Sequence, residues 1–141
     1  MVAVTGIDTS GAPVGMTVGS FTSVSLDPPL VGFFPARTSV TWLRIASSGA
    51  FAVNLLGHHQ QDLSRRLATA GADRFGELTW TPAGSGSPVL EGVLGWIDCD
   101  IESIQPAGDH YAVLGRVRDL AVTSTHPPLV FHRGAYQSLA G

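Results

Sequence analysis

The chain has 141 residues, of which 44% are hydrophobic and only 13% charged, with a net charge of -3. That length suits a single domain over 1–141 with a core of its own, and a charged fraction about half the usual ~25% predicts a surface covered by a partner copy or a cofactor. No basic cluster exceeds the pair Arg65-Arg66, so nucleic-acid binding, which needs a positive stripe to displace counterions from phosphates, is excluded.

The lone Cys99 permits no internal disulfide and no thiolate metal cluster, a composition that fits a reducing cytoplasm. There is no charged start followed by an apolar run, and no apolar stretch approaching about 18 residues. A cytoplasmic protein that does not enter a membrane is expected.

In chain order, Val2-Ala3-Val4 and Val14 to Val18 flank the turn-rich Asp8-Thr9-Ser10-Gly11 and predict a hairpin. Pro28-Pro29 launches a strand over Leu30–Phe34, whose unbroken apolar run predicts burial on both faces. Trp42, Ile45 and Ala46 then recur at helical spacing, with Thr38 or Ser39 as N-cap and Gly49 as the stop, giving a short helix over about 40–48. Phe51–Leu56 returns to strand. Gln60–Ala70 reads as a second helix closed by Gly71, with Leu63 and Leu67 opposite Arg65 and Arg66.

In the second half, Val93, Ile97, Cys99 and Ile101 alternate with Asp98, Asp100 and Glu102, an inside/outside pattern for a long antiparallel strand. Tyr111–Val122 pairs with it across a turn at Pro106–Asp109, and Pro127–Phe131 and Ala135–Leu139 supply the last strands. Strands in this number, with two short helices inserted, predict a mainly β antiparallel barrel with helical crossings.

The motif survey removes several chemistries. Five histidines stand at 58, 59, 110, 126 and 132, but no H-E-x-x-H spacing or cysteine partner supports a metal. Gly84-Ser85-Gly86-Ser87 lacks the spacing and flanking elements of a nucleophile elbow and reads as a loop. Gly6, Gly11 and Gly15 are too far apart for a dinucleotide fingerprint.

Pro35-Ala36-Arg37-Thr38-Ser39-Val40-Thr41 leaves a strand and enters a helix, so its unpartnered N–H groups, Arg37 and the hydroxyls of Ser39 and Thr41 suit an anion. The same pattern is met by Thr38 or Ser39 acting only as a cap, with Arg37 a surface charge. Gly108-Asp109-His110 marks a turn whose imidazole would matter if the turn faced a ligand.

Taken together, GMTVGSFTSVSLDPPLV at 15–31, SGAFAVNLL at 48–56, Asp73-Arg74-Phe75, GSPVLEG at 86–92, AGDHYAVLGRV at 107–117 and PPLVFHRGAY at 127–136 resemble the flavin reductase-like proteins, the reductase components of two-component flavin monooxygenases. The resemblance implies an FMN-binding split β-barrel that works as a homodimer, binds FMN or FAD, and passes hydride from NADH or NADPH to the flavin for a partner monooxygenase. By similarity, Thr17, Val18, Gly19, Ser20 and Ser23 lie along the flavin's ring and ribityl chain, while Pro35, Ala36, Arg37, Ser39 and Thr41 take the phosphate end. Arg74 and Phe75 would close over the flavin, and His110 and Tyr136 would line the nicotinamide side, with His110 the residue closest to the chemistry. A site whose cofactors carry the reactivity needs small and hydroxyl-bearing residues more than an acid–base pair.

Family members usually carry a helix ahead of the first strand, whereas this sequence starts inside that strand at Met1-Val2-Ala3. Two alternatives share the barrel: a flavin carrier or sensor without reductase activity, and an oxidoreductase using deazaflavin.

Overall fold

The computed structural model describes residues 1–69, 75–137 and 139. The chain opens on the expected hairpin, β1 (Val2–Ile7) against β2 (Pro13–Val18), with Val4 opposite Met16. Its turn is closed by Asp8, whose carboxylate accepts the Ser10 and Ala12 N–H groups and the Ser10 hydroxyl and is held by Arg44 at 2.6 Å. These donors hold the Asp8 carboxyl far below the usual carboxylate range.

After the turn come β3 (Thr22–Leu26) and β4 (Pro29–Phe33), then α1 (Val40–Ala46), β5 (Ala50–Leu55) and α2 (Gln61–Ala68). Short strands β6 (Trp80–Pro82) and β7 (Pro88–Leu90) precede the long hairpin β8 (Gly95–Ala107) and β9 (His110–Val122). A last small hairpin joins β10 (Val130–His132) to β11 (Ala135–Gln137). Seven strands form one sheet in the order β2-β1-β5-β8-β9-β4-β3. Among the described residues β2 and β3 end that ladder, so the architecture is mainly β with two short helices but not a closed barrel.

Period-2 alternation places Val4, Val53, Phe51 and Cys99 on one face of the sheet, with Ala3, Thr5, Asn54 and Asp98 on the other. The first face holds the main core, where Phe33 meets Trp42 of α1 and Phe51 edge-to-face at 5.3 and 5.1 Å between centroids. Burial lifts the Cys99 thiol pKa to about 12, aided by Asp98 and Asp100. The second face is covered as well: Leu56, Leu67, Phe75, Leu90, Val93 and Leu129 gather there. Asn54 fastens β7 to that face, donating to the Pro88 C=O and accepting the Leu90 N–H at 2.8 Å. With α2 and the β6–β7 hairpin beside it, residues on both faces of the sheet are buried.

Several sequence expectations are corrected by this arrangement. Asp98 does not point to solvent; it is fully buried, because the loop before β7 covers its face and Ser85 donates both its N–H (2.9 Å) and its hydroxyl to the carboxylate. The β4 run is buried on both faces only over Val31–Phe33; Leu30 is half-buried, and Phe34, past the strand's end, is exposed. Thr22–Leu26 is an additional edge strand. The second helix ends earlier than expected, at Ala68, and the proposed stop at Gly71 lies outside the described residues. The penultimate strand starts at Val130, three residues later than Pro127.

Candidate functional site

Beyond Phe33 the chain leaves β4 and is stitched to the tip of the β8–β9 hairpin. The Tyr111 N–H donates to the Pro35 C=O (2.9 Å), Ala36 bridges antiparallel to His110, and the Arg37 N–H donates to the Asp109 C=O (3.0 Å). These bonds continue the β4–β9 register, in which Phe33 opposes Val113. A ladder therefore forces Pro35, Ala36, Arg37 and His110 together across more than seventy residues of sequence. Ser20 closes the other side: its hydroxyl accepts the Phe34 N–H at 3.0 Å and lies 3.4 Å from the Phe34 C=O.

Within this group the charges are exposed. The Arg37 guanidinium lies 3.4 Å from the Gly108 C=O and sits over the Tyr111 ring at 5.5 Å. His110 Nδ1 is 2.7 Å from the Asp109 carboxylate, and this contact lowers the Asp109 pKa. An ionised carboxylate only accepts, so Nδ1 carries the proton and Nε2 is the atom left to face a ligand. Ser39 caps α1 by accepting the Trp42 N–H at 3.1 Å, as one of the two sequence readings required, and its own O–H remains able to donate. Thr41 is buried one residue into the helix.

A second group forms under α2. The Thr17 hydroxyl donates to the Ser64 C=O at 2.7 Å, and the Ser64 hydroxyl pairs with the Tyr136 hydroxyl at 2.8 Å. With its proton given to Ser64, Thr17 can offer a ligand only an acceptor lone pair. Tyr136 carries the Arg65 guanidinium over its ring at 5.1 Å and meets the Phe131 ring at 5.2 Å. Thr17 and Ser20 are three residues apart, so their backbones lie within about 10 Å of each other, and Val18-Gly19 links the two groups. Val18 is buried in the main core and Gly19 is exposed beside Met1.

The remaining expected residues stand elsewhere. Ser23 is exposed on β3, opposite Val31. Phe75 is buried, its ring so close to Gly15 that a Cβ there would come within 2.8 Å, so the ring is already packed in protein. Arg74 lies outside the described residues. Sequence reasoning missed Ser64, Phe34 and Tyr111; a serine in step with Leu67 on the apolar side of α2 is the signal that identifies the first.

A flavin calls for an apolar shelf, uncharged hydrogen-bonding groups and a cation for its phosphate. Exposed Phe34, the Ser20 hydroxyl bonded to its N–H, and Arg37 three residues on supply that set, so the residues present fit the group. Among the described residues no cluster of three or more His, Cys, Asp or Glu side chains is placed to hold an ion.

The flavin reductase like domain model matches residues 1–140. The chain belongs to that family. Its relatives include a flavin reductase from Pseudomonas putida, 49% identical over 138 residues, covering 98% of this chain and 81% of the relative. The reductase subunit of a flavin-dependent monooxygenase from Rhodococcus jostii (strain RHA1) is 43% identical over 136 residues, covering 96% and 69%. Among solved structures, the NADH:FAD oxidoreductase of Streptomyces globisporus C-1027, in complex with NAD and FAD fragments, superposes with a TM-score of 0.91 at 31% identity, covering 99% of this chain and 84% of that one. The open seven-stranded sheet described above is thus the flavin reductase architecture, with the split-barrel-like form expected from the sequence.

Proposed function

We propose that this chain is an NAD(P)H-dependent flavin reductase that accepts FMN or FAD and hands reduced flavin to a separate flavin-dependent monooxygenase. The observation that carries the reading is the family match along 1–140 combined with one group in which backbone bonds join Pro35–Arg37 to the Asp109–Tyr111 segment and the Ser20 hydroxyl bonds the neighbouring Phe34 N–H. When bound, the flavin supplies the acceptor for the hydride leaving the nicotinamide; the protein's task is to hold both rings in register.

In this reading Thr17, Val18, Gly19, Ser20 and Ser23 offer hydroxyls and backbone along the flavin. Pro35, Ala36, Arg37, Ser39 and Thr41 hold its phosphate end, with Arg37 as the cation. Arg74 would close over it, from the position next to Phe75, whose own ring is already packed at Gly15. His110, through Nε2, and Tyr136 face the nicotinamide. A homodimer in the cytoplasm is part of the same proposal, supported by the exposed apolar side chains Val24, Leu26 and Phe34 beside the site and by the single buried Cys99. Among the described residues no helix is long and apolar enough to cross a membrane.

The test is steady-state oxidation of NADH and NADPH with FMN and with FAD, on the wild type and His110→Ala. Loss of one hydrogen bond to the nicotinamide, about 0.5–1.5 kcal/mol, raises its KM roughly twofold to tenfold and slows flavin reduction, while the flavin Kd stays near the wild-type value. Unchanged KM and turnover in His110→Ala remove His110 from the site, and no NAD(P)H oxidation with either flavin overturns the function.

A further inference from the structure

Ser64 is buried in full and polar on both its ends: the backbone C=O accepts from Thr17 at 2.7 Å, and the side-chain hydroxyl pairs with Tyr136 at 2.8 Å. A hydroxyl with no solvent access has nothing but its protein partner to satisfy it, so the bond to Tyr136 is an obligatory one. Tyr136 itself is half-buried on the small β10–β11 hairpin, an element with only three residue pairs of its own to hold it. Arg65, the next residue of the same helix, covers one face of the Tyr136 ring, and Phe131 meets the ring at 64° from the neighbouring strand. The ring is thus fixed from three directions, two of them supplied by consecutive residues of α2.

We infer that Ser64 is the positioning residue for Tyr136: its hydroxyl fixes the phenol on the nicotinamide side of the site, and its carbonyl ties that phenol to the flavin-facing strand through Thr17. The inference rests on the proposed nicotinamide role of Tyr136. Thr17 and Tyr136 are 119 positions apart and both bond to this one residue of α2; the sheet anchors the chain at Leu129, just ahead of the hairpin, and Ser64 fixes the phenol itself.

The experiment is a double-mutant cycle on the flavin-loaded protein with Ser64→Ala, Tyr136→Phe and the double variant, and with Tyr136→Ala as the separate check on the Tyr136 reading. Steady-state KM for NADH and kcat are read beside two equilibrium measurements, calorimetric titration of NAD+ into that protein and of FMN into the same variants freed of flavin. Each single hydroxyl deletion is expected to weaken NAD+ binding and raise the NADH KM about threefold to tenfold, the effect of one lost hydrogen bond. The FMN Kd is expected to stay within about twofold, and the double variant to be no worse than Tyr136→Phe alone. Ser64→Ala costing as much in the Tyr136→Phe background as in the wild type means that Ser64 acts through packing, and overturns the inference. A large effect of Tyr136→Ala with none from Tyr136→Phe or Ser64→Ala also overturns it, with the role of Tyr136 standing. No effect of Tyr136→Ala on NAD+ binding overturns the Tyr136 reading and the inference with it. Tyr136→Phe alters only a half-buried hydroxyl, so it carries the comparison even if Ser64→Ala is poorly folded.

Discussion

Asp98 on β8 is the most exacting test of the fold, because a fully buried carboxylate is tolerated only while its donors remain in place. Ser85 provides two of them, its N–H and its hydroxyl, from the loop that covers this face, and Ser87 braces that hydroxyl at 2.9 Å. Asp98→Ala removes the acceptor of both bonds. Hydrogen bonds to a charged group contribute about 1.5–3 kcal/mol each; Ser85 is half-buried and partly rehydrates, so the lower figure applies and the loss is about 3 kcal/mol. Unfolding entropy of about 2.1 cal/mol/K per residue gives roughly 0.3 kcal/mol/K for this chain, so Tm should fall by about 10 °C. Asp98→Asn keeps an acceptor for the N–H and should fall by less than half of that. The assay is thermal unfolding followed by circular dichroism at pH 7, with Ser85→Ala and Asp98→Ala/Ser85→Ala completing a cycle. The double variant should cost less than the sum of the two single losses, since the hydroxyl bond to Asp98 is lost only once, while the Ser85 contacts with Ser87 go only with the serine. An Asp98→Ala protein melting within about 2 °C of the wild type would refute the claim that this carboxylate anchors the covering loop.

Three further outcomes follow from single features. Asp8 has its carboxyl pKa depressed by Ser10, Arg44 and Ala12, so the folded form binds a proton less readily than the unfolded chain. Its contribution to stability is full above the unfolded value near pH ~3.9 and is lost as pH falls through the folded value; the stability gap between wild type and Asp8→Asn in urea titrations should therefore be constant above about pH 5 and narrow below about pH 4. Cys99, with its thiol pushed up to about 12 and no solvent exposure, should resist a thiol reagent at pH 8 until denaturant is added, and labelling of the native protein at the rate of free cysteine would contradict its packing. Gly115 on β9 faces Phe51, whose ring would collide with any Cβ placed there; Gly115→Ala should cost about 1–3 kcal/mol in denaturant unfolding.

How much of this was legible in the sequence depends on whether the signal is local. The first hairpin, α1 with its Ser39 cap, β5 and the β8–β9 hairpin are all readable, because periodicity and turn residues specify them within a dozen positions. β3 is not: its residues Thr22–Leu26 are mostly exposed on an edge, so no apolar alternation marks them. Asp98 misleads because period 2 tells which side of a strand a residue takes but not whether that side meets water; the covering loop arrives from Ala83–Ser87. Arg37, Ser39 and Thr41 are legible as an anion-binding helix start and His110 as a turn residue, the other site residues only through family resemblance, and the backbone geometry explains why those near Pro35 and His110 belong together. Ser64, in step with Leu67, is marked by the helix period as facing the protein, but only the tertiary fold brings Thr17 and Tyr136 to it.

The stitching of Ala36 and Arg37 to the Gly108–His110 turn has a consequence for anyone retuning the protein. Arg37 takes its backbone partner from Asp109 and its guanidinium contact from Gly108, while His110 leans on the same Asp109. Gly108 holds a φ of 64°, a conformation that most other side chains would strain. An insertion or replacement at these two turn positions moves the arginine and the imidazole as one body. A library that varies Gly108 and Asp109 thus samples paired displacements of both groups, and separate control of either one has to come from residues outside the turn.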